Sequence, residues 1–285
     1  MITRFGVAVL TAVALAACGL GTGVGAQPSG APSATASPGP AGSSRPSPGG
    51  ELTVFAAASL GRALDPVATA YEAANPGTTL TVSTDSSSAL ATQIEQGAPA
   101  DVFLSADAAN PQRLVDGGFA VGGTVAFAGN ELAIITPTDN PGGLVDPFGL
   151  ASDGVRVVAA GDEVPITRYA AQLVENLAAA PGAPAGFAAA YAANVVSRED
   201  NVGAVRAKVE LGEGDAAIVY RTDAAGSGEV AVIDVPDEVN VPATYAGVVV
   251  AASERADAAR AFLDWLAGPD GQAILAGFGF LPPSP

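Results

Sequence analysis

Between Glu51 and Leu281, the sequence alternates strand-like and helix-like segments, and this alternation constrains the fold more than any other feature. The apolar run LTVFAA at 52–57 has the length of a buried strand, whereas ADAARAFLDWL at 256–266 carries its apolar residues at helical spacing. Strands and helices that alternate along a chain are typical of a layered α/β fold. The sequence therefore predicts an α/β protein.

The first fifty residues differ in composition from the rest. In residues 1–17 one basic residue, Arg4, precedes an apolar run too short to span a bilayer, as in a secretory signal. The run ends in LAACG at 15–19, which resembles the lipobox of bacterial lipoproteins. This resemblance implies residues 1–18 as a lipoprotein signal whose Cys18 carries lipid; an ordinary signal with an incidental cysteine is the alternative. Residues 19–50 are nearly all Gly, Ala, Pro, Ser and Thr, which predicts a disordered linker.

Several classes of site are excluded by composition. The chain has no histidine and a single cysteine, so no Ser-His-Asp or Cys-His site and no internal disulfide can form. A zinc site would lack both preferred ligand types, so we expect neither a metal-cation site nor a cofactor. A formal net charge of −17 opposes nucleic-acid binding through a basic surface. The sequence thus indicates a binding protein and not an enzyme.

Four short segments share one design, in which a strand ends in a turn of small residues and a helix begins. They are residues 56–59, 85–88, 164–166 and 201–202. The start of a helix presents unpaired N–H groups and a partial positive charge, which together favour an anion. A serine such as Ser59 is an ordinary helix cap, but three serines in a row at 86–88 exceed what one cap needs. Because such turns meet at one edge of an open sheet, we expect an anion site there.

Three motifs make the resemblance to a known family specific. They are VFAAASL at 54–60, SSSAL at 86–90 and QIEQGAPADVF at 93–103. In order and spacing they resemble the periplasmic molybdate-binding proteins of ABC importers, and GDEVP at 161–165, EDNV at 199–202 and AIVY at 217–220 extend the likeness. The similarity covers nearly everything from Glu51 to Leu281.

The resemblance implies a fold and a set of site residues. The fold is the two-lobed type II periplasmic-binding-protein fold with a hinge of crossing strands; residues 51–131 and 243–285 would form the first lobe and 132–242 the second. Hydroxyl and backbone N–H groups would hold one oxyanion without a cation. The implied ligand-binding residues are Ser59, Ser87, Ile166, Val202 and Tyr220. Asp85, next to the serines, must then point away from the anion.

The function implied is an extracytoplasmic, lipid-anchored protein that captures molybdate, and also tungstate, and delivers it to an ABC permease as a monomer. The alternative is a binding protein for sulfate, phosphate or a small organic acid. A buried arginine on the ligand would favour an organic acid, and Arg168 and Arg198 are the arginines closest to the implied site. A serine hydrolase would lack the histidine that activates its nucleophile.

Overall fold

The structure is a computed structural model that describes residues 49–225 and 227–283. The predicted signal sequence, Cys18 and all but the last two residues of the predicted linker lie outside the described residues. Within the described ranges, no helix combines the length and the apolar character needed to cross a bilayer.

The described residues form ten strands and nine α-helices. The strands are β1 (Gly50–Ala57), β2 (Thr78–Asp85), β3 (Val102–Ser105), β4 (Ala120–Asn130), β5 (Leu132–Pro137), β6 (Val157–Ala160), β7 (Val195–Glu199), β8 (Ala217–Tyr220), β9 (Val230–Ile233) and β10 (Ala243–Val250). The helices are α1 (Gly61–Ala74), α2 (Ser87–Glu95), α3 (Ala109–Asp116), α4 (Pro165–Ala179), α5 (Phe187–Asn194), α6 (Val202–Glu210), α7 (Arg221–Ala224), α8 (Ala256–Ala267) and α9 (Pro269–Gly277).

The largest sheet has five strands in the order β2-β1-β3-β10-β4. β1 lies between β2 and β3 and pairs in parallel with both, while β10 runs antiparallel to β3 and β4. The last four residues of β1, at 54–57, are all buried, as expected for a strand covered on both faces. This sheet brings the carboxyl ends of β1 and β2 to the same edge.

A second group of strands forms two smaller sheets. β5 lies between β8 and β9 and is antiparallel to both. β6 and β7 form a parallel pair, and a bridge from Val157 to Ala216 connects this pair to the start of β8. The carboxyl ends of β6 and β7 therefore also meet at one edge, in front of α4 and α6.

The chain crosses between the two groups of strands at neighbouring points. One crossing lies between β4 and β5, at Glu131, and the other lies between β9 and β10. The side chain of Asn240 joins them, because its amide bonds both the backbone N–H and the backbone C=O of Leu132, each at 3.0 Å. The architecture is the two-lobed type II periplasmic-binding-protein fold. We propose lobe boundaries at 131/132 and 242/243, since all strands of the large sheet fall outside 132–242.

Some elements differ from the sequence-based expectation. Ser59 does not cap α1: it lies inside a 3-10 turn at Ala58–Leu60, and α1 begins after that turn. Pro66 lies inside α1, which continues through it. The sequence pattern also did not predict β4, α5, β7 or the short α7. β4 contains two consecutive glycines, and α5 is so rich in alanine that it shows almost no amphipathic pattern.

Candidate functional site

One small cavity lies where four helical N-termini meet. It has a volume of about 10 Å³, enough for a single small group. It is lined by Ala57, Ala58, Ser59, Ser86, Ser87, Ala106, Val164, Pro165, Ile166, Asn201, Val202 and Tyr220. All five residues implied by the family resemblance are therefore brought together around the same cavity.

Each helical element contributes its first turn to the cavity. Ser87 and Val202 are the first residues of α2 and α6, and Ile166 is the second residue of α4, behind Pro165. Ser59 is the second residue of its 3-10 turn. N–H groups in a first turn have no intrahelical acceptor, and their dipoles place partial positive charge at the cavity. These four elements belong to both groups of strands, so the cavity is an interlobe site.

The hydroxyls of the three serines at 86–88 have different roles. Ser86 caps α2, with its Oγ accepting from the Ala89 N–H at 3.3 Å, and also lies 3.3 Å from the Oγ of Ser88. The Oγ of Ser87 accepts from the Ala106 N–H at 3.0 Å. This backbone donor occupies one of the two lone pairs of the Ser87 oxygen, and the hydroxyl keeps its own proton to donate.

Ser59 follows the same pattern with a different donor. The hydroxyl of Tyr245, in β10, donates to the Oγ of Ser59 at 2.9 Å, and both residues are buried. The Ser59 proton is therefore available to the cavity. The two first-lobe serines thus present two hydroxyl donors.

The second lobe adds backbone donors and one phenol. Asn201 caps α6 by accepting from the Ala204 N–H at 3.0 Å, and Val202 and Ile166, both buried, contribute their backbone N–H groups. The hydroxyl of Tyr220 points to the Ala106 carbonyl across a long 3.4 Å. Burial raises the pKa of Tyr220 well above its ordinary value, so its phenol stays protonated and can donate.

No charged side chain is found among the described residues that line the cavity. Asp85 is not among the residues that line the cavity, but its Oδ1 accepts from two that are, the Ser86 N–H at 2.7 Å and the Asn201 amide at 3.4 Å. Arg168 is ion-paired with Asp107, and Arg198 with Asp162 at 3.2 Å. A group that enters this cavity therefore meets only uncharged side chains.

The structure also contains interlobe contacts that sequence reasoning missed. The ion pair joins Asp107, which follows β3 and is buried, to the half-exposed Arg168 of α4. The carboxylate of Asp107 is also bonded by Ser105 Oγ and by the N–H and amide of Asn110. Nothing in the sequence pattern marks this pair, because its members are 61 positions apart along the chain and neither lies in one of the family motifs.

A second missed residue is Asp223, which lies in α7 directly after Tyr220. It is fully enclosed, and its Oδ2 has no hydrogen-bond partner within the described part of the chain. Burial raises the pKa of Asp223 to about 7, although Arg206 and Arg62 nearby favour its charged form. Thus a chain without histidine still holds a group that titrates near neutrality.

Comparisons with known proteins identify the family of the chain. A sequence model of the family described as bacterial extracellular solute-binding protein matches residues 52–281. The molybdate-binding protein ModA of Mycobacterium tuberculosis (strain ATCC 25618 / H37Rv) is 33% identical over 233 residues, which make up 81% of this chain and 85% of that protein.

Solved structures show the same fold. The periplasmic molybdate-binding protein of Azotobacter vinelandii superposes with a TM-score of 0.69 at 26% identity, over 82% of this chain and 100% of that one. The sulfate-binding protein SubI of Mycobacterium tuberculosis H37Rv superposes with a TM-score of 0.72 at 21% identity, over 82% of this chain and 88% of that one, which shows the fold alone. The chain therefore belongs to the family of bacterial extracellular solute-binding proteins, among the relatives of the periplasmic molybdate-binding proteins.

Proposed function

We propose that this protein captures molybdate, and also tungstate, outside the cytoplasm and delivers it to the membrane permease of an ABC importer. The observation that carries the proposal is the convergence of four helical first turns, two from each lobe, on one cavity without charged side chains. Relatives that bear the name molybdate-binding protein support the choice of anion. The proposed ligand-binding residues are Ser59, Ser87, Ile166, Val202 and Tyr220.

The protonation state of the ligand fits the donor set. Molybdate is fully ionised at neutral pH and needs donors only, whereas hydrogen phosphate carries a proton that needs an acceptor. The hydroxyls of Ser59 and Ser87 each already accept one hydrogen bond, from Tyr245 and from Ala106, so a phosphate proton would have to compete for the one remaining lone pair of a hydroxyl that serves the anion as a donor. An unpaired buried polar group costs about 1–3 kcal/mol, whereas each hydrogen bond to a charged group contributes about 1.5–3 kcal/mol.

The alternative ligands are less well supported. An organic acid would call for an arginine on the ligand, but Arg168 and Arg198 are each engaged with a carboxylate and neither lines the cavity. Sulfate is a dianion like molybdate and differs from it in size. Discrimination between these two would come from the fixed spacing of donors in the closed lobes.

Export and anchoring complete the proposal. A lipid on Cys18 would hold the protein at the outer face of the membrane, and the Gly/Pro/Ser-rich linker at 19–50 would let the folded lobes reach the permease. Release of the anion to the permease requires that the lobes open, because both lobes contribute donors to the cavity.

Calorimetric titration of the purified protein with molybdate, tungstate, sulfate and phosphate tests the function. We expect saturable one-to-one binding of molybdate and tungstate with similar affinity, and at least about 100-fold weaker binding of sulfate and phosphate, from roughly 3 kcal/mol of lost or unpaired hydrogen bonds. Tighter binding of sulfate or phosphate would assign the site to another oxyanion. Absence of binding by all four anions would refute an oxyanion site.

A further inference from the structure

We infer that Tyr245 is a positioning residue: its hydroxyl fixes Ser59 as a hydrogen-bond donor and thereby makes the cavity selective for anions that carry no proton. The inference rests on the proposed function and names a residue outside the implied ligand-binding set. Tyr245 does not line the cavity but lies behind Ser59, buried on β10 of the first lobe.

A chain of hydrogen bonds gives Tyr245 its direction. The Glu131 N–H donates to the Oδ1 of Asn130 at 2.9 Å, which leaves the Asn130 amide nitrogen as the group that faces Tyr245. That nitrogen donates to the Tyr245 hydroxyl oxygen at 3.3 Å and to Thr222 Oγ1 at 2.9 Å. With its oxygen accepting from Asn130, the Tyr245 hydroxyl directs its proton to the Oγ of Ser59, at 2.9 Å.

The surroundings keep this direction fixed. Tyr245 and Asn130 are both buried, and the Tyr245 ring packs edge-to-face against Phe127, Tyr220 and Phe280. Burial raises the pKa of Tyr245 well above its ordinary value, with a further contribution from the charge of Asp223, so the phenol keeps its proton. Because its ring is packed and its phenol stays protonated, Tyr245 remains a hydrogen-bond donor to Ser59.

The consequence for Ser59 follows from the capacity of a hydroxyl, which has one proton to donate. Tyr245 donates to one of the two lone pairs of the Ser59 oxygen, so the Ser59 proton cannot point to Tyr245 and has an anion in the cavity as its acceptor. At Ser87 the same result comes from a backbone donor, the Ala106 N–H, which no substitution of a side chain removes. A side-chain substitution can therefore remove the donor that orients the Ser59 hydroxyl, but not the backbone donor at Ser87.

The test is Tyr245→Phe, which removes the hydroxyl and retains the ring. Ser59 can then rotate and accept the proton of a hydrogen phosphate. We expect molybdate affinity to fall about 10-fold, and phosphate affinity, measured by displacement of molybdate, to stay constant or rise. The ratio of molybdate affinity to phosphate affinity should therefore fall about 10-fold. A purely structural defect would not change this ratio, because it would lower both affinities by a similar factor.

The matched control is Tyr71→Phe. Tyr71 is a buried tyrosine of the same lobe whose hydroxyl has no hydrogen-bond partner among the described residues, and its ring packs on Phe262 and Trp265. It should leave both affinities unchanged. If Tyr71→Phe narrows the ratio as much as Tyr245→Phe does, the inference is overturned.

A double-mutant cycle assigns the effect to Ser59. In a Ser59→Ala background, Tyr245→Phe should cause no further loss of molybdate affinity. An equal loss with and without Ser59, or an unchanged molybdate-to-phosphate ratio in Tyr245→Phe, would overturn the inference.

Failure of the inference is distinct from failure of the proposed function, since the latter shows as absence of molybdate binding by the unmodified protein. Should Tyr245→Phe lack a cooperative thermal transition, Asn130→Ala serves in its place. It removes the donor that directs Tyr245 and should narrow the ratio in the same direction, and an unchanged ratio would again overturn the inference.

Discussion

The ion pair between Asp107 and Arg168 should stabilise the closed arrangement of the lobes, and Arg168→Gln tests this. Asp107 follows β3 of the first lobe, and Arg168 lies in the first turns of α4 in the second, two positions after Ile166. The substitution breaks the pair but leaves the Asp107 carboxylate bonded by Ser105 and Asn110. The Asp107 side of the site should therefore retain its structure.

The size of the expected loss in affinity follows from the solvent exposure of the two side chains. The Asp107 side chain is 2% exposed, whereas that of Arg168 is 56% exposed, so solvent screens the pair and its contribution lies near that of a surface ion pair, about 0.5–1 kcal/mol. Only the closed state gains this energy, because the two residues belong to different lobes. A loss of that size lowers anion affinity about 2- to 5-fold. The loss should appear mainly as faster dissociation, since the pair forms after the anion has entered.

Arg198→Gln is the matched control. Arg198 is 51% exposed and pairs with Asp162 inside the second lobe, and either substitution makes the chain more negative than its −17 by one unit. Stopped-flow dissociation and calorimetry with molybdate should show the effect for Arg168→Gln alone. Equal losses in the two variants would mean that long-range charge and not lobe closure is responsible, and an unchanged dissociation rate in Arg168→Gln would refute the reasoning.

Three further predictions concern the donors, the buried acid and the anchor. Ser87→Ala and Tyr220→Phe should each weaken molybdate binding by about 1.5–3 kcal/mol while Ile166→Ala and Val202→Ala change it much less; calorimetry that finds a uniform loss would mean that packing and not the donor pattern makes the site. The raised pKa of Asp223, about 7 against 3.8, means that the folded chain keeps a proton which the unfolded chain loses above about pH 4, so this residue's contribution to stability falls as pH rises to 7. Asp223→Asn should therefore raise the free energy of unfolding by up to about 4 kcal/mol at pH 8 and by almost nothing near pH 4, and denaturant titrations that show no gain at pH 8 would contradict it. Cys18→Ala should release the protein from membranes or block its processing, as fractionation with immunodetection would show, and full membrane retention would exclude a lipid anchor on Cys18.

Sequence reasoning worked where a local pattern decides the structure. The strand–turn–helix segments at Ser87 and Val202 carry their own signals, a serine or asparagine cap followed by apolar residues at helical spacing. The third segment, at 164–166, begins α4 at Pro165, directly before Ile166. These segments were predicted because the information lies within a few positions along the chain, whereas the ligand-binding roles of single residues came from the family resemblance.

Long-range contacts could not be predicted in this way. Tyr245 meets Ser59 across 186 positions and Arg168 meets Asp107 across 61, and neither pair has a spacing that periodicity can detect. The mistaken cap at Ser59 has the same origin, since its hydroxyl is taken by Tyr245 and not by a nearby N–H. Likewise, the raised pKa of Asp223 depends on burial, which follows from tertiary packing and not from composition.

The central claim is that one tetrahedral dianion binds between the helical first turns of the two lobes. Crystals grown with molybdate, with diffraction recorded on both sides of the molybdenum absorption edge, test it most directly. The account predicts one anomalous peak per chain, within hydrogen-bond reach of the Oγ atoms of Ser59 and Ser87 and of the Tyr220 hydroxyl, and no charged side chain in contact with the anion. A peak elsewhere, or one in contact with Arg168 or Arg198, would contradict it.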